Sequence, residues 1–486
     1  MRKSWRLFVA ALALSLIAAA CGSDDDPADS AGADDALAAA QAAQAEAEAA
    51  QAEAEAAQAE AEAAAADAEA ALEDAGGDDA PALPFAGEVI RVTGPERSPE
   101  EWGGIQDAFD AFAAETGMQI IYTGSADWEA EINVQLAAGN PPDISMFPQP
   151  GKLADFARDG LVLALPDDSL ATVSENWGEA PMGFGNVDGA QYGVPAANNL
   201  KSIVWHKPAV FEANGYAIPQ TWDELLALTD QMIADGITPW CIGIESGQAT
   251  GWAFTDWTED LMLRFAGPDA YDQWVAGELL FSDPIVTDIF QRILDLWNTE
   301  GAVFAGGGSI ATTHHSSDNA EGLAADDCAM VRQATFFSGF LPAGTSTDVD
   351  VFYFPSIDEN RPVLGAGTLA GAFNDSPAVW AVMEYIGSPE YANIRQASQK
   401  EALGGAGQLS GFNTANLNVD LSLWEPLEQS FIDIMQTAAV FRFDGSDLMP
   451  ADVGAGTFWT EATAMVNGEK TPAEAAAAID ASWPTE

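Results

Sequence analysis

The stretch EVIRVTGPERSPEEWGGIQDAFDAFAAETGMQIIYTGSADWEAEINVQLAAGNPPDISMF, residues 88–147, alternates short apolar runs with segments of helical period. The apolar runs at 88–92, 118–122 and 144–147 are typical of buried strands. Between them, SPEE at 98–101 combines a helix cap with an early proline, and 127–138 also has a helical pattern. Strand, helix, strand, helix, strand predicts an α/β fold with a mostly parallel sheet.

The same alternation of strand and helix patterns recurs further along the chain. TWDE at 221–224 is a second capping box, and the run from Trp240 to Ile244 predicts another strand. Ile285, Ile289 and Ile293 share one face of a predicted helix. About 400 residues follow Gly87, more than a single hydrophobic core usually holds, so two lobes are expected.

The N-terminus has the pattern of a secretory signal, with a basic flank and an apolar run from Leu7 to Ala20 before Cys21. A helix of that length spans only about 21 Å, too short for a bilayer core of about 30 Å. Residues 18–21, AAAC, resemble a bacterial lipobox. We therefore predict a signal peptide at 1–20 and a lipid on Cys21, with plain secretion as the alternative.

Residues 21–87 are predicted to be an acidic stalk. This segment holds eighteen Asp or Glu and no Lys or Arg, and QAEAEAA occurs three times, at 44–50, 51–57 and 58–64. The repeat favours a helix, but its seam would be alanine, which buries too little area for a stable coiled coil. A solvated monomeric stalk is expected, with an alanine-seamed oligomer left open.

The formal net charge is −59. Phosphate contacts need Lys and Arg, so nucleic acid and polyanionic ligands are disfavoured. Two cysteines, Cys241 and Cys328, remain besides Cys21. Outside the cell such a pair usually bridges, so a disulfide between them is predicted.

The sequence contains no recognisable catalytic or cofactor-binding motif. Phosphate-loop, zinc-protease and serine-hydrolase patterns do not occur, and two glycine-rich segments, 365–371 and 405–411, are one residue too long for a dinucleotide loop. His206 is interpreted as a packing or rim residue. His314 and His315 are expected to point in different directions, so neither a metal site nor a cofactor is predicted.

Eight short motifs resemble those of bacterial extracellular solute-binding proteins that serve sugar ABC importers. They are AGNPPDI (138–144), YGVP (192–195), KSIVW (201–205), PQTWDEL (219–225), TGW (250–252), TDW (255–257), AMVRQA (329–334) and GAGTLA (365–370). In particular the chain resembles the alpha-glucoside-binding lipoproteins and, more distantly, maltose-binding protein. His206 departs from the pattern, which has Tyr at that position.

The resemblance implies a two-lobe periplasmic-binding-protein fold, type II-like, with ligand held between the lobes. It implies crossings between the lobes near 196–199, 364–370 and 403–409, where glycines could absorb the hinge motion. The expected N-terminal lobe is 88–197 plus 367–402, and the expected C-terminal lobe is 198–366 plus 403–486.

Sugar recognition needs aromatic faces for the CH groups and paired donors and acceptors for the hydroxyls. Several tryptophans stand beside polar residues in what the sequence predicts to be loops. The candidate binding residues are Trp128, Gln149, Asn198, Asn199, Lys201, Trp252, Asp256, Arg332, Gly367 and Trp459. Asp256 could alternatively hold Arg332 in a structural ion pair.

The sequence thus predicts an extracytoplasmic protein, lipid-anchored to the outer face of the cytoplasmic membrane, that captures an alpha-glucoside-type di- or oligosaccharide. Its expected partners are the sugar and the permease of an ABC importer, and it is not expected to be an enzyme. A binding protein for another solute, such as a polyol or a different sugar, is the first alternative. A surface glycoside hydrolase and a non-catalytic adhesive protein are two more.

Overall fold

The computed structural model describes residues 83–357 and 361–484. The predicted signal peptide, the lipidation site Cys21 and nearly all of the predicted stalk lie outside the described residues. Leu83–Gly87, which the sequence assigned to the end of the stalk, is grouped with the globular unit that begins at Leu83. Phe85 packs against the hydrophobic core that contains Ile90 and Ile120, which is called the first core below, and its amide donates to the Thr116 carbonyl at 2.9 Å.

The first sheet contains the region that the sequence predicted most directly. Its strand order is β13-β12-β3-β1-β2, with β6 also paired to β12. The strands are β1 (Val89–Gly94), β2 (Gln119–Gly124), β3 (Ile144–Phe147), β6 (Gly193–Leu200), β12 (Val363–Ala372) and β13 (Phe441–Phe443). As predicted, β1 pairs in parallel with both β2 and β3, whereas β12 runs antiparallel to β3 and β6.

The second sheet has the order β11-β7-β10-β8-β9, and a small two-stranded sheet pairs β4 with β5. Their strands are β4 (Asn186–Val187), β5 (Ala190–Gln191), β7 (Ile203–His206), β8 (Trp240–Cys241), β9 (Val303–Phe304), β10 (Met330–Arg332) and β11 (Asp350–Tyr353). The strand predicted at 240–244 is shorter than expected, because only Trp240 and Cys241 pair in the sheet.

Helices cover the sheets, and several begin at the predicted caps. They are Pro99–Thr116, Trp128–Ala137, Pro150–Arg158, Asp167–Ser174, Glu179–Gly183, Pro208–Asn214, Trp222–Ala234, Trp252–Phe265, Pro268–Val275, Pro284–Trp297, Ser317–Ala324, Pro377–Ile386, Pro389–Ala402, Pro426–Thr437, Gly445–Leu448, Trp459–Val466 and Pro472–Asp480. The Glu101 carboxylate accepts a hydrogen bond from the Ser98 amide at 3.0 Å, and the Thr221 hydroxyl accepts one from the Glu224 amide at 3.2 Å. Each predicted capping box therefore forms one of its capping hydrogen bonds. Within the described residues, no helix is both long and apolar enough to span a bilayer.

Two long strands connect the cores of the two sheets. Ala196 and Ala370 pack in the first core, whereas Leu200 of β6 and Leu364 of β12 pack in cores around the second sheet. Every residue of β12 is buried, and its register with β6 shifts between Thr368 and Leu369. The crossings predicted near 196–199 and 364–370 therefore coincide with the paired strands that leave one core and enter the other.

The predicted disulfide is present. Cys241 at the end of β8 is bonded to Cys328, which precedes β10, and both residues are buried. The bond ties two neighbouring strands of the second sheet across 87 residues of sequence. His206 also fulfils its predicted packing role, because its ring lies edge-on to Phe211 at 4.6 Å.

Candidate functional site

The candidate site begins at the carboxyl ends of β1, β2 and β3, where parallel strands deliver side chains to one edge of the sheet. Glu96 and Arg97 follow β1, Glu129 follows β2, and Gln149 follows β3. The turn is tight: a Cβ on Gly124 would lie 1.7 Å from the Glu96 carbonyl oxygen. Only glycine allows the segment after β1 to fold this closely over the end of β2.

The opposite wall comes from elements of the second sheet and is largely aromatic. Trp252 begins its helix half-buried, with the His315 ring edge-on to the indole at 4.7 Å. Phe336 lies 6.1 Å from the same indole, measured between ring centroids. Trp459 begins another helix and lines the same cavity.

Gly251 sets the relative position of the two indoles. Its φ is +115°, and a Cβ there would lie 2.2 Å from the Trp459 carbonyl oxygen. The start of the Trp252 helix can therefore approach the Trp459 backbone only because residue 251 lacks a side chain. This close approach places both indoles on one wall.

The two walls enclose a cavity of about 230 Å³ whose floor contains Asn199 and Gly367 of the two crossing strands. Phe412 and Asn413 complete one side, together with Arg395, whose guanidinium lies 4.4 Å above the Phe412 ring. The cavity thus combines aromatic faces with amide and charged groups.

Several buried polar atoms of residues that line the cavity lack a hydrogen-bond partner among the described residues. They are Gln149 Oε1, both amide atoms of Asn413 and Trp459 Nε1. Buried polar groups in folded proteins are almost always hydrogen-bonded. These atoms comprise two acceptors and two donor groups, and they belong to residues that line the cavity.

A buried charge network lies behind the aromatic wall. Lys201 Nζ donates to Asp256 Oδ1 at 2.7 Å and also to Asp444, while Arg332 contacts Asp256 at 3.2 Å and Asp260 at 2.7 Å. Burial alone would lower the pKa of Lys201, but the Asp256 and Asp444 carboxylates raise it above its ordinary value. The ammonium therefore stays charged and holds the two acids together.

Carboxylate oxygens of Asp256, Glu259 and Asp444, one from each residue, lie within 4.8 Å of one another, as the ligands of a metal ion would. The ammonium of Lys201 already bonds to two of these three carboxylates. Burial, and then the negative charges of Asp444 and Asp256, raise the pKa of Glu259 well above its ordinary value. A protonated Glu259 beside a lysine suits an internal hydrogen-bond network rather than a metal ion, and we derive no metal site from this group.

The raised pKa of Glu259 predicts a pH dependence of stability. In the folded protein Glu259 keeps a proton that it loses in the unfolded chain above about pH 4.3, so its contribution to stability falls as pH rises toward the folded pKa. Glu259→Gln removes this dependence while keeping a donor toward Asp444. The free energy of unfolding of the variant, relative to the wild type, should therefore increase by up to about 1.4 kcal/mol per pH unit.

Denaturant unfolding at several pH values between 5 and 8 measures that difference. Glu321→Gln, on an exposed helix position, is the matched control. A difference between Glu259→Gln and wild type that stays constant across this range would contradict the protonated state of Glu259.

Six of the ten predicted binding residues line the cavity: Gln149, Asn199, Lys201, Trp252, Gly367 and Trp459. Four do not. Trp128 begins the helix predicted at 127–138 and is buried, with its indole N–H donating to Ser145 at 2.9 Å. Asn198 faces away from the cavity and accepts the Ala415 amide at 3.0 Å.

Asp256 and Arg332 are the other two, and both lie inside the charge network. Asp256 is 1 % exposed and bonds Lys201 and Arg332 instead of facing the cavity. This is the structural ion pair that the sequence left open as an alternative. Trp257 of the TDW motif is buried in the same helix as Asp256, with its ring 5.4 Å from that of Trp240.

The structure adds lining residues that the sequence did not single out: Arg97, Glu129, His315, Phe336, Phe340, Arg395, Phe412, Asn413 and Asp447. The expectation for the histidine pair is wrong, because the rings of His314 and His315 lie 4.2 Å apart and only 32° from parallel. The rarity of histidine and of basic residues in this acidic chain was the available signal for His315, Arg97 and Arg395.

Gly251→Ala is expected to weaken both stability and ligand binding, since its Cβ would collide with the Trp459 carbonyl oxygen. Gly308 is the control, because its φ is +97° but nothing lies within 4 Å of a Cβ there. Gly308→Ala should cost about 1 kcal/mol of backbone strain, and Gly251→Ala should cost more. Equal losses in thermal denaturation of the two variants would mean that the collision is absorbed without displacing Trp252.

Comparison with known proteins identifies a family. The family model described as bacterial extracellular solute-binding protein matches residues 98–393. The osmoprotective compounds-binding protein GgtB of Synechocystis sp. is 37% identical over 388 residues, covering 78% of this chain and 89% of the relative. The alpha-glucosides-binding periplasmic protein AglE of Rhizobium meliloti is 36% identical over 414 residues, covering 82% of this chain and 87% of the relative.

Solved structures share the fold at lower identity. A chitin oligosaccharide binding protein aligns with a TM-score of 0.68 and 21% identity, covering 81% of this chain and 97% of its own. The solute-binding protein RafE in complex with raffinose aligns with a TM-score of 0.64 and 17% identity, covering 81% of this chain and 98% of its own.

Proposed function

The chain belongs to the family of bacterial extracellular solute-binding proteins, and on that basis we propose that it is the sugar-binding component of an ABC importer. The family resemblance drawn from its short motifs is thereby confirmed. Its proposed ligand is an alpha-glucoside-type di- or oligosaccharide. No covalent chemistry is assigned to the protein, and the energy for transport enters through the importer.

The observation that carries this proposal is the composition of the cavity wall. Trp252, Phe336 and Trp459 supply aromatic surface, while Gln149 and Asn413 line the same cavity and carry amide atoms without a hydrogen-bond partner among the described residues. A sugar offers the complementary surfaces, because its CH faces pack on rings and its hydroxyls both donate and accept.

The charges around the cavity favour an uncharged solute. Arg97, Lys201 and Arg395 stand against the carboxyls of Glu96 and Glu129, together with those of Glu101, Asp444 and Asp447. An anionic solute would meet the acids and a cationic solute would meet the bases, each with little water to screen it. Sugar hydroxyl groups can accept hydrogen bonds from the basic side chains and donate hydrogen bonds to the carboxylates.

The names of the relatives support an alpha-glucoside over other sugars. One is described as binding alpha-glucosides and another as binding osmoprotective compounds, and both match most of this chain. Because these descriptions differ, a polyol or another small sugar is the alternative that a binding screen has to test.

We further propose the two lobes and their boundaries: 88–197 plus 367–402, and 198–366 plus 403–486. The course of β6 and β12 from one core to the other supports the first two boundaries. Ligand would close the lobes, and the permease would read the closed form. Attachment through lipid on Cys21 at the outer face of the cytoplasmic membrane, and a monomeric state, belong to the same proposal.

A thermal-shift screen tests the function. Maltose, trehalose, sucrose and raffinose are compared with glycine betaine, amino acids, peptides and divalent cations. A ligand at a hundred times its Kd should stabilise the fold by about 2.7 kcal/mol, so a true ligand raises Tm clearly. A shift with another solute class, and none with any carbohydrate, would defeat the sugar assignment.

A further inference from the structure

A contact beside the candidate site joins the segment after β1 to the loop that contains His314. Arg97 follows β1 of the first sheet and lines the cavity. His314 lies on the side of the second sheet, where it pairs with Glu245, and its ring lies 4.2 Å from that of His315, which lines the cavity. Arg97 Nη2 and His314 Nε2 are 3.0 Å apart, so this contact forms only when the walls are close together.

The surroundings of His314 determine where its proton sits. Its Nδ1 accepts the backbone amides of Ser316 at 3.2 Å and Ser317 at 3.1 Å. A nitrogen that faces two N–H donors cannot itself carry a proton, so the neutral ring is protonated on Nε2. Nε2 is the atom that faces the guanidinium of Arg97, and guanidinium has donors only.

Arg97 and His314 therefore present two donors to each other with no acceptor between them. We propose that this pair is a solute-dependent clasp, in which an acceptor oxygen of the bound solute receives a hydrogen bond from both residues and thereby holds the walls together. The inference rests on the proposed function and deepens it: the pair selects solutes with a hydroxyl, ring or glycosidic oxygen at the edge of the cavity beside Arg97.

The energetics favour this arrangement over a direct Arg97–His314 bond. Two facing donors leave both groups unsatisfied, which is unfavourable in a partly buried contact. A sugar oxygen has two lone pairs and satisfies both donors at once. A solute that lacks the oxygen would leave the donors opposed, and the clasp would discriminate against it.

The clasp also makes solute retention depend on pH. The charged or titratable groups around His314 are Arg97, Glu245, His315 and Asp318, and the Asp318 carboxylate accepts the His314 amide at 2.8 Å. Protonation would place a second proton on Nδ1 against two N–H groups, and a positive ring beside Arg97. Burial, and then Arg97, lower the pKa of His314, while Glu245 and Asp318 oppose the shift.

The direction of this pH dependence follows from the linkage between proton binding at His314 and closure of the walls. With the walls apart, the Arg97 guanidinium no longer faces the ring, so the pKa of His314 is higher than with the walls together. With the walls together it resists protonation, so acid favours the separated state. Affinity should therefore fall as pH decreases from about 7.5 to about 5.5, by at most about tenfold per pH unit for one proton.

The first test needs no ligand. The chain has three histidines, so imidazole ¹⁵N spectra can be assigned by comparison with His314→Asn. We expect the Nε2–H tautomer at His314 in the unliganded protein at pH 7.5. The Nδ1–H tautomer would make Arg97–His314 an ordinary hydrogen bond and would overturn the clasp.

The second test uses whichever of maltose, trehalose and sucrose gives the largest thermal shift. Arg97→Met and His314→Asn should each weaken its binding by about tenfold or more. The double variant should lose less than the product of the two, because both donors act on one oxygen. The side-chain oxygen introduced by His314→Asn can still accept the two backbone amides, and Arg292→Met, on an exposed position, controls for the lost charge.

Two readouts separate a clasp from a structural role. The Tm of the unliganded protein should not fall in either single variant, since opposed donors do not stabilise it. The pH dependence of Kd should disappear in His314→Asn. A lowered unliganded Tm in both variants, or an unchanged pH dependence, would overturn the clasp. Failure of the wild type to bind any sugar would instead count against the proposed function, and the tautomer would still test the clasp.

Discussion

Replacing Trp252 with alanine is expected to weaken sugar binding by about 100-fold or more, the range of a buried aromatic anchor at a binding site. The indole is half-buried on the cavity wall, and its other face lies under the Lys201 ammonium at 5.3 Å. It also borders His315 and Phe336. Removing it takes away the largest apolar face of the site and loosens its neighbours.

Calorimetric titration of Trp252→Ala, Trp252→Phe and wild type with one sugar measures the effect. Phenylalanine keeps a ring and should lose less affinity than alanine. Trp380→Ala is the control, since Trp380 packs at the edge of the first core and lies outside the cavity lining. Retained affinity in folded Trp252→Ala would remove the aromatic wall from the binding site.

Lys201→Met is expected to destabilise the folded protein by about 3–5 kcal/mol, as removal of one partner of a buried ion pair usually does. Lys201 is 4 % exposed and neutralises Asp256 and Asp444, which are almost fully buried. Without the ammonium, the two carboxylates repel each other in a medium of low dielectric constant. Adding Asp444→Asn to Lys201→Met should restore part of the loss.

Guanidinium unfolding compares these variants with Lys400→Met. Lys400 pairs with Glu425 at a more exposed position, where loss of the pair should cost at most about 1 kcal/mol. Similar losses at both lysines would show that the network around Lys201 contributes no more than a surface pair.

Local pattern was sufficient for much of the fold. The apolar runs before and after the SPEE capping box predicted β1, β2 and β3 with their parallel pairing. These elements depend on contacts close in sequence: period, caps and helix-ending glycines. Prediction failed where pairing decides the outcome, as at β8, which stops after Cys241 because only two of its residues find partners.

The binding site was predicted less completely. Gln149 could be placed because it follows a parallel strand, and Trp252 because glycine and polar residues precede it. Asp256 is one turn further along the helix that begins at Trp252, and it points into the charge network instead. Local sequence cannot separate these outcomes, because Arg332 and Asp444, which bind Asp256 and Lys201, are distant in sequence.

By itself, the sequence determined the family, the α/β architecture, the buried disulfide and the general place of the cavity at the strand ends. The architecture and the place of the cavity depend on residue type and short-range spacing. The family came from the resemblance of short motifs, and the disulfide from the presence of only two cysteines besides Cys21. Only the tertiary structure decided which polar side chains face the solute. The register of β6 against β12 and the close approach at Gly251 bring distant segments together. As a result Asn413 and His315 line the cavity, whereas Arg332 lies in the buried charge network.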